Sequence, residues 1–164
     1  MPRIDDYKNA RKLAIEKLAA DSFDTILQLT GLEAVGADQF RVPFLNRAYR
    51  IGLPELKFKD ETDSKKEVPI QEQILILHYM LSPAVPVLSG NWVSYREIPG
   101  ASFYYSAFVK RAIDPLKEVF GQNVKGLLRA GEILGGQSID TGDVGYEFRL
   151  LPHVPVRLIL WAGD

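Results

Sequence analysis

The sequence predicts an α+β fold in which an antiparallel sheet packs against several helices within a single domain, residues 1–164. Three observations predict it. Apolar residues recur at helical spacing near the N-terminus and in mid-chain; short β-branched and aromatic runs fill residues 32–58 and 146–161; and glycines and prolines punctuate the segments between them. A chain of 164 residues is the size of one domain and buries roughly two-thirds of its unfolded surface without staples.

From Asp5 to Ala20, Tyr7, Ala10, Leu13, Ala14 and Leu18 share one helix face. Asp21 and Ser22 supply cap chemistry for a second, short helix through Phe23, Ile26, Leu27 and Leu29, which Gly31 stops. QFRVPFL and RAYRIGL, bounded by Gly36, Pro43, Gly52 and Pro54, read as strands. KFKDETDSKKE, residues 57–67, is polar and of mixed charge, and is expected to be a solvated loop.

Pro69 then opens IQEQILILHYML, apolar on nearly every face, which is expected to be the central buried helix ended by Pro83 and Pro86. WVSYREI alternates as a strand does, and Gly100 closes it. Ser102 caps a helix with Phe103, Ala107, Phe108 and Ala112, which Pro115 either breaks or restarts before Gly121. NVKGLLRAGEILGG is a further helix, weakened by Gly126 and Gly131 and stopped by Gly135 and Gly136. YEFRLL and VPVRLILW are expected to pair antiparallel.

Composition narrows the function classes. Twenty basic and 21 acidic residues give a net charge of −1, so no strong field draws in polyanions and nucleic-acid binding is not expected. With no cysteine, the chain itself offers no thiolate nucleophile, disulfide or cysteine-ligated metal. The longest strongly apolar stretch, Ile74 to Leu81, falls far short of the roughly 20 residues that span a bilayer. The N-terminus lacks a secretory h-region, and a cytoplasmic location is expected.

Four segments occur in order: VPIQEQILILHYM, WVSYREIPGASFYYSAF, PLKEVFG and EFRLLPHVPVRLILWAGD. In these the chain resembles an uncharacterised prokaryotic domain-of-unknown-function family, over essentially its whole length. The likeness also takes in the N-terminal helix, Gly31 and the helix led by Pro69. The resemblance implies a distribution mainly among anaerobic bacteria and archaea. Some relatives are described as iron–sulfur proteins because of extra cysteine-bearing segments, which have no counterpart in this sequence. The family pattern continues beyond WAGD with an acidic, Phe-Pro-containing stretch and a further strand and helix, so a C-terminal segment found in relatives is expected to be lacking. The resemblance implies no activity and no cofactor.

No P-loop, GxGxxG, GxSxG or HExxH pattern occurs. The densest polar and aromatic cluster is Trp92, Tyr95, Arg96, Glu97, Tyr104 and Tyr105. On a strand, Tyr95 and Glu97 would share one face and Ser94 and Arg96 the other. Arg96 can meet an anion and the tyrosines offer stacking faces and hydroxyls, against the plainer reading of an Arg–Glu pair in an aromatic core. His78, in the buried helix, reads first as a core histidine and second as a general base or ligand contact. His153 reads as exposed. Asp140, Asp143 and Glu147 match no calcium-loop spacing, and no metal site is expected.

Three functional readings follow. The first is a noncatalytic binding module for a protein partner or metabolic cofactor, using the aromatic and Arg96 surface. The second is a small enzyme with Glu97 or His78 as proton acceptor, Tyr104 as donor and Arg96 holding an anionic substrate. The third is assembly, a homodimer through the final strand.

Overall fold

Ile4–Leu18 forms the first helix, α1, with Asp5 and Asp6 in its first turn and Lys17 in its last, each charge opposing the helix dipole end beside it. Phe23–Thr30 forms α2. Its cap is Ser22, whose Oγ accepts from the Thr25 N–H at 3.1 Å. Gly31, at φ 66°, ends it by donating its N–H to the Leu27 carbonyl. Ser22→Ala is expected to cost about 1 kcal/mol in urea unfolding, the usual worth of such a cap.

The structure, a computed structural model, describes residues 4–161. It is an α+β fold of helices and antiparallel strands, as the sequence predicts, with the strands divided between two sheets. Its contacts divide the chain into two compact units: residues up to Val87 with Arg149–Pro155, and Leu88–Phe148 with the residues from Val156 onward.

In the first unit, β1 (Glu33–Val35), β2 (Gln39–Phe44), β3 (Arg47–Gly52) and β4 (Lys57–Asp60) form one sheet in sequence order. Period-2 alternation sends Phe40, Val42 and Phe44 inward, with Phe40 opposite Ile51 and Val42 opposite Tyr49. The sequence expectation of a loop over 57–67 therefore fails for its first four residues. KFKD pairs with β3, setting Phe58 opposite Ile51 and Asp60 opposite Tyr49; residues 61–67 are exposed.

The helix Ile70–Met80, α3, packs on α1 and α2. Leu18, Ile26, Phe40, Ile51, Ile76, Leu77 and Met80 are core residues, and full burial of each such side chain contributes roughly 2 kcal/mol. One face of α3 nevertheless meets solvent: Gln71, Leu75 and His78 are exposed at i, i+4 and i+7. His78 is thus a surface residue and not the core histidine expected. His153 departs in the opposite direction and is half-buried. No helix among the described residues is long and apolar enough to cross a membrane.

The second unit holds short helical pieces, one longer helix, and most of the sheet β5 (Gln137–Ile139), β6 (Val144–Leu151) and β7 (Val154–Leu160), ordered β5-β6-β7. The expected strand pair is present, with β5 added at its edge. α6 spans Val124–Ile133; Asn123 caps it by accepting from the Gly126 N–H at 2.9 Å. Gly135, at φ 74°, turns the chain so that the Gly136 N–H reaches the Gly131 carbonyl at 2.8 Å, a Schellman closure. Gly131 itself is buried against the Tyr146 ring.

Candidate ligand-binding surface

Residues 81–94 carry no regular hydrogen-bonded structure, and Val87 is 95% exposed. The strand expected over Trp92–Ile98 is not formed. Tyr95–Glu97 is instead a 3-10 turn, because Glu97 Oε2 reaches back to accept from the Ser94 N–H at 2.6 Å, as in a capping box. These bonds from Ser94 hold the exposed Glu97 carboxyl below its usual pKa. A carboxylate so engaged is a weakened proton acceptor.

A continuous helical run follows. It comprises a 3-10 turn Ala101–Tyr104, α4 (Tyr105–Phe108), a π-helical turn Val109–Ile113 and α5 (Asp114–Phe120). Pro115 explains the wide turn: it lacks an N–H and its ring would press on the carbonyl one turn back. The Asp114 N–H therefore bonds to the Val109 carbonyl, five residues away. Pro115 thus restarts the helix without breaking it.

Helix and turn assemble the aromatic residues. Tyr95 stacks face to face on Phe108, with centroids 3.8 Å apart and planes within 1°. Tyr105 tilts against both at 6.4 Å. The Arg96 guanidinium lies 4.2 Å from the centre of the Tyr105 ring. Arg111 donates to the Tyr104 hydroxyl at 2.7 Å, with its guanidinium 5.6 Å from that ring. Around them Ile98 is half exposed and Phe103 is 93% exposed.

Trp92 takes a different partner within the unit, the Arg157 guanidinium, 3.9 Å from its ring. Arg157 also bonds Glu147 at 2.9 Å. Tyr95 and Arg96 thus join one cluster with Tyr105 and Phe108, and Tyr104, adjacent to Tyr105 in the chain, pairs with Arg111. Glu97 serves as the cap of its turn, and Trp92 stands on β7 through Arg157. His78 lies on α3 in the first unit. No Arg96–Glu97 ion pair forms; Glu97 bonds the Ser94 N–H and Arg96 rests on Tyr105 instead.

Asp140 and Asp143 sit in the β5–β6 turn, lining an open hollow of about 420 Å³ with Ser138 and Gly142, while Glu147 belongs to Arg157. Among the described residues no three His, Asp or Glu side chains converge as a metal site would require.

Sequence reasoning missed a polar network in the first unit. The Tyr49 hydroxyl, fully buried, donates a short hydrogen bond to Glu72 Oε2. Arg47 donates to both Glu72 oxygens at 3.3 Å and approaches Asp60 at 4.0 Å. Burial, then the Glu72 carboxylate, push the Tyr49 pKa up. Asp60, 3% exposed, accepts from the Thr62 N–H at 2.8 Å and hydroxyl at 2.6 Å, bonds that lower its pKa. The group is closed on itself, and its partners lie as many as 25 residues apart in sequence. The only local signal is the D-x-T spacing of Asp60 and Thr62.

A protein-family model described as a domain of unknown function (DUF3786) matches residues 22–164. No curated protein and no solved structure matches the chain.

Proposed function

The chain belongs to the DUF3786 family of domains of unknown function, and we propose that it acts as a noncatalytic binding module that engages a protein partner through the surface between Trp92 and Arg111. The observation that carries this reading is the exposed aromatic and arginine array itself. Arg96 and Arg111 rest on tyrosine rings, and Phe103 projects almost wholly into solvent. Aromatic residues and arginine are the types that dominate binding hot spots, and rings already stacked give up little further rotamer entropy on docking.

The cap role of Glu97 favours the module over an enzyme that would use this carboxylate as its proton acceptor. The test compares the tagged full chain with a Trp92→Ala, Arg96→Ala, Tyr104→Ala variant in copurification from host cells, with hydrogen exchange reporting the fold. One stoichiometric polypeptide should accompany the wild-type chain and fall at least about tenfold with the variant, a loss of some 1.4 kcal/mol or more, while exchange in α1 to α3 is unchanged. Equal recovery on both proteins would sink the reading.

A further inference from the structure

The arginines of this protein divide by what they touch. Arg41 and Arg50 bond Glu61, Arg47 bonds Glu72, and Arg157 bonds Glu147, each at 3.3 Å or less. Arg96 and Arg111 have no carboxylate partner among the described residues. The acid beside Arg96, Glu97, is turned to the Ser94 N–H, and Asp114, three residues beyond Arg111, forms no ion pair with it. Arg11, Arg129 and Arg149 also show no carboxylate partner among the described residues, but none of them lies on a ring.

The Arg96 guanidinium lies over the Tyr105 ring, and Arg111 spends one N–H on the Tyr104 hydroxyl, which leaves two or more further N–H donors on each guanidinium for another acceptor. That is the arrangement in which arginine takes a carboxylate through two parallel bonds. The rings also fix where these donors are held, since Tyr104 and Tyr105 are consecutive and Tyr105 belongs to the stack with Tyr95 and Phe108. Phe103, which precedes Tyr104 in the chain, and Ile98, two residues beyond Arg96, are both exposed.

Resting on the binding-module reading above, we infer that the partner presents an acidic and apolar peptide segment. Its Asp or Glu carboxylates bond Arg96 and Arg111, and a neighbouring aromatic or aliphatic side chain covers Phe103. Charge complementarity decides for carboxylates: the surface brings two guanidinium groups without counter-charges, and its nearest acid is already taken. Because these arginines are exposed, the bonds should weaken with salt.

The experiment selects phage-displayed random peptides on the full chain and remeasures the affinity of the recovered peptides on an Arg96→Gln, Arg111→Gln variant and, separately, on Phe103→Ser. Hydrogen exchange locates the bound segment. Recovered peptides should join Asp or Glu to an apolar residue, protect residues 92–111, and lose at least about tenfold in affinity on the double glutamine variant. They should lose as much when their acids are changed to Asn or Gln. Neutral peptides that protect residues 92–111 and need Phe103 but neither arginine would overturn the acidic-partner inference and leave the module standing. Selection that yields no peptide protecting this segment would overturn the module reading, and the inference with it.

Discussion

Asp60→Ala is expected to lower folding stability by roughly 3 kcal/mol, the range for losing hydrogen bonds to a buried charge. The side chain is 3% exposed. Its removal takes from Thr62 the acceptor for its N–H and hydroxyl, which Asp60 now receives at 2.8 and 2.6 Å, empties a buried polar site beside Tyr49, and leaves Arg47 with Glu72 alone. Asp60→Asn keeps an acceptor for Thr62 and gives up the charge, so it should cost about half as much. The effect of pH follows from the direction of the shifts. Thr62 holds the Asp60 carboxyl below its usual pKa, and hydrogen bonds from Arg50, then Arg41, do the same for Glu61. A carboxyl with a lower pKa folded than unfolded binds fewer protons in the native state. Its stabilisation is whole above the unfolded value near pH 4 and drains away as pH falls through the lowered one. Urea unfolding across this range should show wild-type stability falling below about pH 4, and a shallower acid limb for both Asp60 variants. Parallel acid limbs in wild type and Asp60→Asn would refute the assignment.

The second large effect is expected at Gly131, where alanine should destabilise although it is the better helix former. A Cβ there would stand 2.5 to 2.7 Å from three carbons of the Tyr146 ring. That ring is 3% exposed and tethered through its hydroxyl to the Leu128 carbonyl at 3.1 Å. Helix propensity returns about 1 kcal/mol, while overpacking a fixed ring costs roughly 1 to 3. The net loss for Gly131→Ala is therefore about 1 kcal/mol, and for Gly131→Leu, with three more carbons to place, roughly 3 or more. Gly126 is the control on the same helix. There the added carbon meets the Asn123 side chain, which is exposed and can swing aside. Loss of its cap, about 1 kcal/mol, then nearly cancels the gain in propensity. Thermal unfolding should rank Gly126→Ala most stable, then Gly131→Ala, then Gly131→Leu; a stabilised Gly131→Ala would mean that α6 does not lie on β6 as described.

The same two glycines show what a sequence can and cannot disclose. Both read as helix weakeners, yet only the fold reveals that one is required by a ring fifteen residues further on. Local chemistry was legible: the Ser22 and Gly31 caps of α2, the double glycine after α6, and the alternation in β2 all act within a few residues. Trp92–Ile98 misled because alternation and a capping box overlap in the same letters. The S-x-x-E signal of Ser94 and Glu97 prevailed, since it closes two hydrogen bonds without needing a neighbouring strand. His78 misled through composition: α3 is apolar by content, but Gln71, Leu75 and His78 form a face that only spacing reveals. KFKD hid a strand behind its lysines, and Asp60 could not be seen as buried because Arg47 and Tyr49 reach it through the sheet. Of the candidate surface, the residue types were legible, and the pairing of each arginine with its own tyrosine was not.

The wide turn at Val109–Ile113 also bears on how the chain tolerates change in length. In an α-helix each residue advances the direction of its side chain by about 100°, so deleting one residue within α3 would rotate Leu77 and Met80 away from the packing they share. The π turn already carries a residue beyond what α geometry needs. It works as slack between the aromatic half of the run and the half that begins at Pro115, and a one-residue deletion there can be absorbed by tightening the turn once Pro115 gives way to a residue with an N–H. Length variation among relatives should therefore collect at this point, leaving the phase of Tyr105 and Phe108 untouched.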